Sequence, residues 1–481
     1  MRTTAIKMWS GAGLIASTLL AARAAARPSA ATIECDVAII GGGAAGSHAA
    51  VWLRDHGLSV VVIEKARQLG GHTAFYEDPA TGKTINVGVQ AWMEYKDAFT
   101  FPERMGVSVN GSMEFATLEY KYVDMKTGKE VPGWTPPAAT AMSPALQKYV
   151  DTIAKYENIM MPGFENFPKA GEIPEDLLMP FGQFVAKYGI EASVPNMWDA
   201  TVQGLGDPMH VPTLFVIQAS GLPMARALLG TARSAVPASG RLYDLYDAVA
   251  AFLGDDVLYS STVVSSKRTE TGVTLEVQRS KCKSATTVKA KRLLVTMEPT
   301  PESMAPLDLD QAETDVFSKI GFSTVYAGIL RHPALKAGKA YSNRSPLPGS
   351  TNYTVFPVAA QLGRMDWIKD TKDLFQFTAV GTDKDTADSM KALIRQSINN
   401  LMDTGVLARE TGDVVFAEFA CHGKMHPRVS EEELRAGFMT KQVALQGRRS
   451  TWYTGAAFSA GFTTVVWEYN NVVLPKLIEG I

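Results

Sequence analysis

Gly41, Gly43 and Gly46 stand at G-x-G-x-x-G spacing directly after an apolar run, residues 37–40. Each glycine has its own task. The first permits a tight turn, the second lets backbone approach a pyrophosphate, and the third lets a helix pack close to the strand before it. Ala44 and Ala45 open that helix, residues 44–56, whose free N–H groups and dipole favour an anion at its start, with Gly57 as its stop. A second apolar run ends on Glu64, 18 residues after Gly46. A carboxylate in that position accepts hydrogen bonds from both hydroxyls of an adenosine ribose. Strand, glycines, helix, strand and acid in register predict a dinucleotide site, against the alternative of a glycine turn in a parallel sheet with no ligand.

The residues after Glu64 narrow the choice of dinucleotide. Gly70 and Gly71 follow it at +6 and +7, in EKARQLGGHT. With this doublet the chain resembles the FAD-binding flavoproteins that include glutathione reductase and the amine oxidases. The resemblance implies that the paired glycines let the chain pass close to the phosphates and ribityl of FAD. His72 stands where amine oxidases usually carry arginine. INVGVQAW, residues 85–92, falls where the family places a strand end beside the isoalloxazine, with Asn86 in place of the common aspartate. At the other end, residues 452–454 read as a short strand, Gly455 opens a small-residue turn through Gly461, and a helix begins near Thr463. Val465, Val466, Tyr469, Val472, Val473 and Leu477 give that helix one apolar face. An ordinary core helix would look the same. In the family, its N-terminus meets the pyrimidine edge of the flavin, where N–H groups stabilise negative charge.

The resemblance extends to a largely fungal branch of the flavin amine oxidase superfamily, the beta-cyclopiazonate dehydrogenase-like FAD-dependent oxidoreductases. LGGHTAFYEDPATGKTINVGVQAW, ALQGRRSTWYTG and TWYTGAAFSAGFTT carry it. It implies an α/β fold: a glutathione-reductase-like FAD-binding Rossmann domain with an interleaved α+β substrate domain. The FAD domain is expected from 34–110, 225–320 and 430–481, and the substrate domain from 111–224 and 321–429. Together with the glycines and the acid, the expected cofactor positions are Gly41, Gly43, Ala44, Ala45, Gly46, Glu64, Lys65, Gly70, Gly71, His72, Gly88, Val89, Gln90, Val263, Gly455, Phe462 and Thr463. Val263 matches the valine whose backbone lies against adenine in the family. Ala456 and Ala457 replace the acid that amine oxidases often carry near the pyrophosphate.

The elements between these signatures must supply a cavity. Residues 143–230 are mostly helical with proline and glycine breaks, and VPTLFVIQASGLPMARALLG is apolar all round and should be buried. FATLEYKYVDMKTGKEV reads as a hairpin. FSTVYAGIL, TNYTVFPVAA, LFQFTAVGT and VVFAEFAC read as strands of a mixed sheet, and KDTADSMKALIRQSINNLMDTG as an amphipathic helix over it.

Composition excludes some classes. The 481 residues are 46% hydrophobic and 20% charged with a net charge of −2, so no bulk charge draws the chain to nucleic acid or anionic membrane. Its length calls for two or more domains. Cys35, Cys282 and Cys421 lie far apart and, like the seven histidines, make no metal-ligand spacing. The first 33 residues lack acids, and a short apolar stretch follows Arg2 and Lys7. That layout fits a secretory signal over 1–31, with a mitochondrial transit peptide as the rival reading. No apolar run reaches the ~20 residues a bilayer span needs. N-x-S/T sequons occur at Asn110, Asn343 and Asn352.

The flavin carries the two-electron chemistry and the protein supplies orientation and exclusion of water, so no catalytic triad is required. The polar candidates are Cys421, His422, Lys424 and His426, just before the C-terminal segment. Of these His426 is the first choice for proton transfer or substrate contact. Phe462 falls where amine oxidases place an aromatic beside the flavin, and Gln90 follows the strand that passes the ring. These residues form the expected catalytic set, each with a plain packing role as its alternative. The expected activity is oxidation of a hydrophobic small molecule (an amine, an alkaloid or another secondary metabolite) by hydride transfer to FAD, with O2 as an open choice of electron acceptor. Redox-neutral isomerisation of an unsaturated lipid and a flavin-binding protein without catalysis stay open beside it.

Overall fold

The computed structural model describes residues 32–111, 116–280, 285–345 and 360–481. The expected leader, all but the last residue of the strand expected over 351–360, the Asn352 sequon and Cys282 lie outside the described residues.

The two apolar runs around the glycines become parallel neighbours, because residues 37–40 and 60–63 have no polar face and need cover on both sides. Thr32–Ile40 pairs in parallel with Val60–Ile63 on one side and Ala285–Val295 on the other. The sheet continues outward through Gly272–Arg279 to Ser261–Thr269 at one edge, and through Val257–Leu258 at the other. Thr451–Tyr453 joins the same sheet, parallel to Ala285–Val295, bringing the end of the chain beside its beginning. The glycine helix Ala44–Asp55 lies between this sheet and the C-terminal helix Thr463–Ile478.

A second sheet runs in the order Val415–Arg428, Gly321–Arg331, Phe375–Gly381, Gln361–Trp367, Lys339–Asn343, Glu119–Asp124, Lys129–Glu130. Its last two strands are the expected hairpin, and Glu119–Asp124 runs parallel to Lys339–Asn343. Helix Ala387–Asp403 covers one face, burying Met390, Ile394, Ile398 and Leu401 against Phe375 and Phe377. The helical block holds the expected apolar segment as two helices, Thr213–Ala219 and Leu222–Leu228, with Leu214, Val216, Leu222 and Ala225 buried. Asn343 is 3% exposed and its amide donates to the Leu362 carbonyl, so that sequon is closed to glycan attachment in the folded protein. No described helix is long and apolar enough to cross a membrane.

One ion pair ties the outer strands to the C-terminal return. Arg268 donates to both carboxylate oxygens of Glu313, at 2.7 and 2.8 Å, and both side chains are fully buried. Tyr453 donates a third hydrogen bond to the same carboxylate at 2.5 Å. Removing only this cation takes the bidentate partner from a buried carboxylate and leaves it Tyr453, the Asp310 N–H and the more distant Arg449, 3.7 Å away. Arg268→Met is expected to cost about 3–5 kcal/mol in chemical denaturation, and adding Glu313→Gln to recover a large part of it.

Candidate active site

The carboxyl ends of the central strands meet in one crease, the place where open α/β sheets hold dinucleotides. Glu64 is aimed there by two backbone groups: Gly42 N–H donates to Oε2 and Ala66 N–H to Oε1, each at 2.7 Å. A methyl added at Gly46 would lie 1.9 Å from the Gly41 carbonyl oxygen, so this glycine serves helix-to-strand packing. A methyl at Gly43 would meet only the Gly71 Cα, at 3.6 Å, and so points into open space. The glycine doublet is stitched to the same turn, Gly70 N–H donating to the Gly42 carbonyl at 2.9 Å. Both doublet glycines have positive φ, and Tyr243 and Tyr246 rings crowd the place of a Gly70 side chain.

The tail closes on this crease. Thr454 N–H donates to the Val295 carbonyl, and Gly455, at φ +104, passes so close to Thr296 that a methyl would lie 3.1 Å from its carbonyl oxygen. Phe462 is the N-cap of the last helix and Thr463 its first residue, with no acid in the first turn to oppose an anion. That helix docks on Ala44 and Ala45: Trp467 Nε1 donates to the Ala44 carbonyl at 3.2 Å and Asn470 Nδ2 to the Ala45 carbonyl at 2.8 Å. Thr454 holds the Asn470 side chain by a 2.7 Å hydrogen bond to Oδ1. Lys65 is exposed beside Glu64. Val263 is buried in Ser261–Thr269, whose first residue bonds the Glu64 carbonyl.

The strand Thr84–Gly88 ends on Gly88 at φ +88, followed by Val89 and Gln90. Gln90 turns back, its amide donating to the Asn86 carbonyl at 2.9 Å. Asn86 spans a loop, donating to the Gly240 carbonyl and accepting from Leu242 N–H. An aspartate has no donor for the first of these bonds, which accounts for the amide here. Trp92 is wholly buried against Trp467 and belongs to the core.

Gly88 is also where the histidines gather. A methyl there would lie 2.4 Å from His422 Nε2 and 2.8 Å from the His72 carbonyl oxygen. The rings of His72 and His422 are 5.6 Å apart, and His422 Nε2 is buried without a hydrogen-bond partner. His426, at φ +53, lies against Gly204, where a methyl would come 2.0 Å from its Nε2. Burial pushes His72 and His426 down to about 4 and His422 to about 3, with nearby cationic side chains adding to the effect on His72 (Lys65) and His426 (Arg428). All three rings are therefore neutral at physiological pH. The remaining candidates on this strand lie elsewhere: Cys421 is exposed, and Lys424 pairs with Asp383 at 2.6 Å.

A turn with open space at Gly43, an acid aimed by two N–H groups, and a helix N-terminus closing the same crease together suit FAD. Residues 39–103 match the NAD(P)-binding Rossmann-like domain family. Over 466 residues, 92% of this chain and 93% of the relative, the sequence is 33% identical to the FAD-dependent oxidoreductase dpchF of Colletotrichum higginsianum. The chain belongs to the FAD-dependent oxidoreductases of the flavin amine oxidase type. This oxidoreductase is also 32% identical over 450 residues to the beta-cyclopiazonate dehydrogenase of Aspergillus oryzae, covering 93% of each chain. Its fold is shared by a fatty acid isomerase from P. acnes, at a TM-score of 0.69 and 19% identity over 92% of this chain and 99% of that one. A putrescine oxidase bound to putrescine follows at a TM-score of 0.61 and 16% identity, covering 93% and 100%. The oxidoreductase is thus an FAD enzyme with an amine oxidase-like fold, as the motifs at its two ends imply.

Sequence reasoning passed over two features of the site. His422 was one candidate among four, with nothing in its spacing to rank it. Glu298, a lone acid beyond the strand Ala285–Val295, carries no local signal at all.

Proposed function

We propose that the oxidoreductase dehydrogenates a hydrophobic small molecule, such as an amine, alkaloid or other secondary metabolite, in a cavity over the Gly88 edge. The neutral His72 and His422 at that edge, with His426 four residues beyond His422 on its strand and against Gly204, are the observation that carries the reading. When bound, FAD supplies the two-electron oxidant. The 41–46 turn, Glu64 and the Gly70–Gly71 doublet would hold its dinucleotide end, and residues 455–463 with 88–90 its ring end. The pieces 34–110, 225–320 and 430–481 supply these groups and so form the proposed FAD-binding part, with 111–224 and 321–429 over the substrate. Dehydrogenation removes a hydride from a substrate carbon and a proton from its heteroatom. His426, uncharged at physiological pH, can take that proton. Phe462 and the helical block exclude water, which strengthens polar contacts inside the site. Similarity to beta-cyclopiazonate dehydrogenase favours a secondary metabolite as substrate.

Anaerobic mixing with candidate substrates tests the reading. Bleaching of the flavin absorbance with loss of two electrons from substrate supports dehydrogenation, and peroxide on admitting air assigns O2 as acceptor. Substrate rearranged with the absorbance unchanged identifies redox-neutral isomerisation instead, the second reading, which the fold shared with the fatty acid isomerase keeps in play. His426→Asn is expected to lower kcat about 100-fold, the usual order for a lost proton-transfer group, with flavin content intact. An unchanged kcat would remove His426 from catalysis. Residues 1–31 are proposed to direct secretion. Amino-terminal sequencing of protein recovered from the medium would check this, and recovery from mitochondria would refute it.

A further inference from the structure

Glu298 is a half-buried acid with one carboxylate oxygen enclosed, and it takes no part in the chemistry proposed above. It lies three residues beyond the strand Ala285–Val295, where the chain leaves the sheet between the two glycine turns. Thr296 is wedged against both: its Oγ1 donates to the Ile40 and Gly41 carbonyls at 2.9 and 3.0 Å, and its carbonyl abuts Gly455. The Glu298 backbone is fixed as well, its carbonyl accepting from Thr300 N–H at 2.9 Å and from Ser303 Oγ at 2.5 Å. The residue therefore stands at the carboxyl end of a central parallel strand, in the crease assigned to the dinucleotide.

Its carboxyl is unlike a structural acid. Oε2 is closed to solvent and has no hydrogen-bond partner. Glu64, by contrast, accepts two backbone N–H bonds. No neighbouring charge accounts for the state of Glu298; burial alone pushes it up to about 8. The adjoining turns, 41–46 and 454–463, carry no titratable side chain, and helix Pro301–Met304 carries only the exposed Glu302. The shift favours the protonated form, and a protonated carboxyl has an O–H to donate. A diphosphate offers acceptors only, and an ionised carboxylate beside it would be repelled.

We propose that Glu298, at the strand end between the two glycine turns, is a cofactor-binding residue whose carboxyl donates a hydrogen bond to an anionic diphosphate oxygen of the dinucleotide. This rests on the placement of FAD given above. The test is titration of the apoprotein with FAD, followed by quenching of flavin fluorescence, for the wild type, Gly43→Val, Glu298→Gln and Glu298→Ala. The glutamine keeps shape, neutrality and an N–H donor, and is expected to bind within about threefold of wild type. The alanine is expected to bind about 10- to 100-fold more weakly, the range for a lost hydrogen bond to a charged group. Alanine binding as tightly as wild type, or glutamine weakened as much as alanine, would overturn the proposal. Tight binding by Gly43→Val would instead sink the placement of the cofactor, whatever the Glu298 variants do. Should the alanine variant fail to fold, pH decides. With an acid near 8, wild-type affinity should fall about 30-fold by pH 9.5 while Glu298→Gln stays flat; parallel curves would refute the role.

Discussion

Gly43→Val should yield a folded protein without colour. A methyl at this position meets only the Gly71 Cα, at an ordinary contact distance, so the fold has room for the first atom of the new side chain. The branches then fill the space above the turn, where the diphosphate is proposed to lie against backbone. We expect FAD affinity to fall at least about 1,000-fold, ~4 kcal/mol, with far-UV circular dichroism and the apoprotein melting temperature near wild type. Gly46→Val should behave differently. Its Cβ would sit 1.9 Å from the Gly41 carbonyl oxygen, so the helix cannot stay on the strand and the protein should be lost to aggregation or unfolding. Full flavin content in purified Gly43→Val would contradict the assignment of the turn.

The second large effect is acid sensitivity. Burial lowers His48 and His422 to about 3, and His72 and His426 to about 4, from an ordinary value of 6.5. Each group therefore binds its proton more readily in the unfolded chain. The sign follows: their contribution is complete above pH 6.5 and is lost as pH falls from there toward 4. Each histidine contributes up to about 1.4 kcal/mol per pH unit across that window. Glu298 acts in the opposite sense, because the folded state holds its proton more tightly, and offsets roughly one histidine on the acid side of pH 8. The net loss between pH 6.5 and 5 is several kcal/mol, a large share of the ~5–15 kcal/mol that holds a typical protein folded. The urea midpoint of the holoenzyme should drop steeply over this interval, and His48→Asn should make the drop shallower. A midpoint equal at pH 5 and pH 7.5 would show that these rings take up protons in the native state.

Much of the crease was legible because its signals are local. The 41–46 glycines, the strand before them and Glu64 lie within a single βαβ unit, where spacing alone sets which groups converge. The glycine doublet gave a second local mark, and the structure places it directly on the first turn. The hairpin, the long amphipathic helix and most second-sheet strands were readable from periodicity for the same reason. Histidine choice was not. His422 and His426 sit four residues apart on one bulged strand, yet one abuts Gly88 and the other Gly204. Bulges shift which face a side chain takes, and no residue pattern in the strand announces where they fall.

The sequence by itself determined a glycine turn of dinucleotide type, the acid that the turn's backbone holds beside it, and a family whose members use FAD, because each is written in residues close enough to act through one local geometry. Only the tertiary structure decided what surrounds them. It brought Asn470 onto the Ala45 carbonyl across 425 positions, and it set His72 and His422 at the Gly88 strand end and His426 against Gly204. It also left a carboxyl without a partner between the two glycine turns. Burial and juxtaposition of this kind arise from packing between distant segments, and packing sets the charge state of a side chain in a way that its identity and its neighbours in the chain do not.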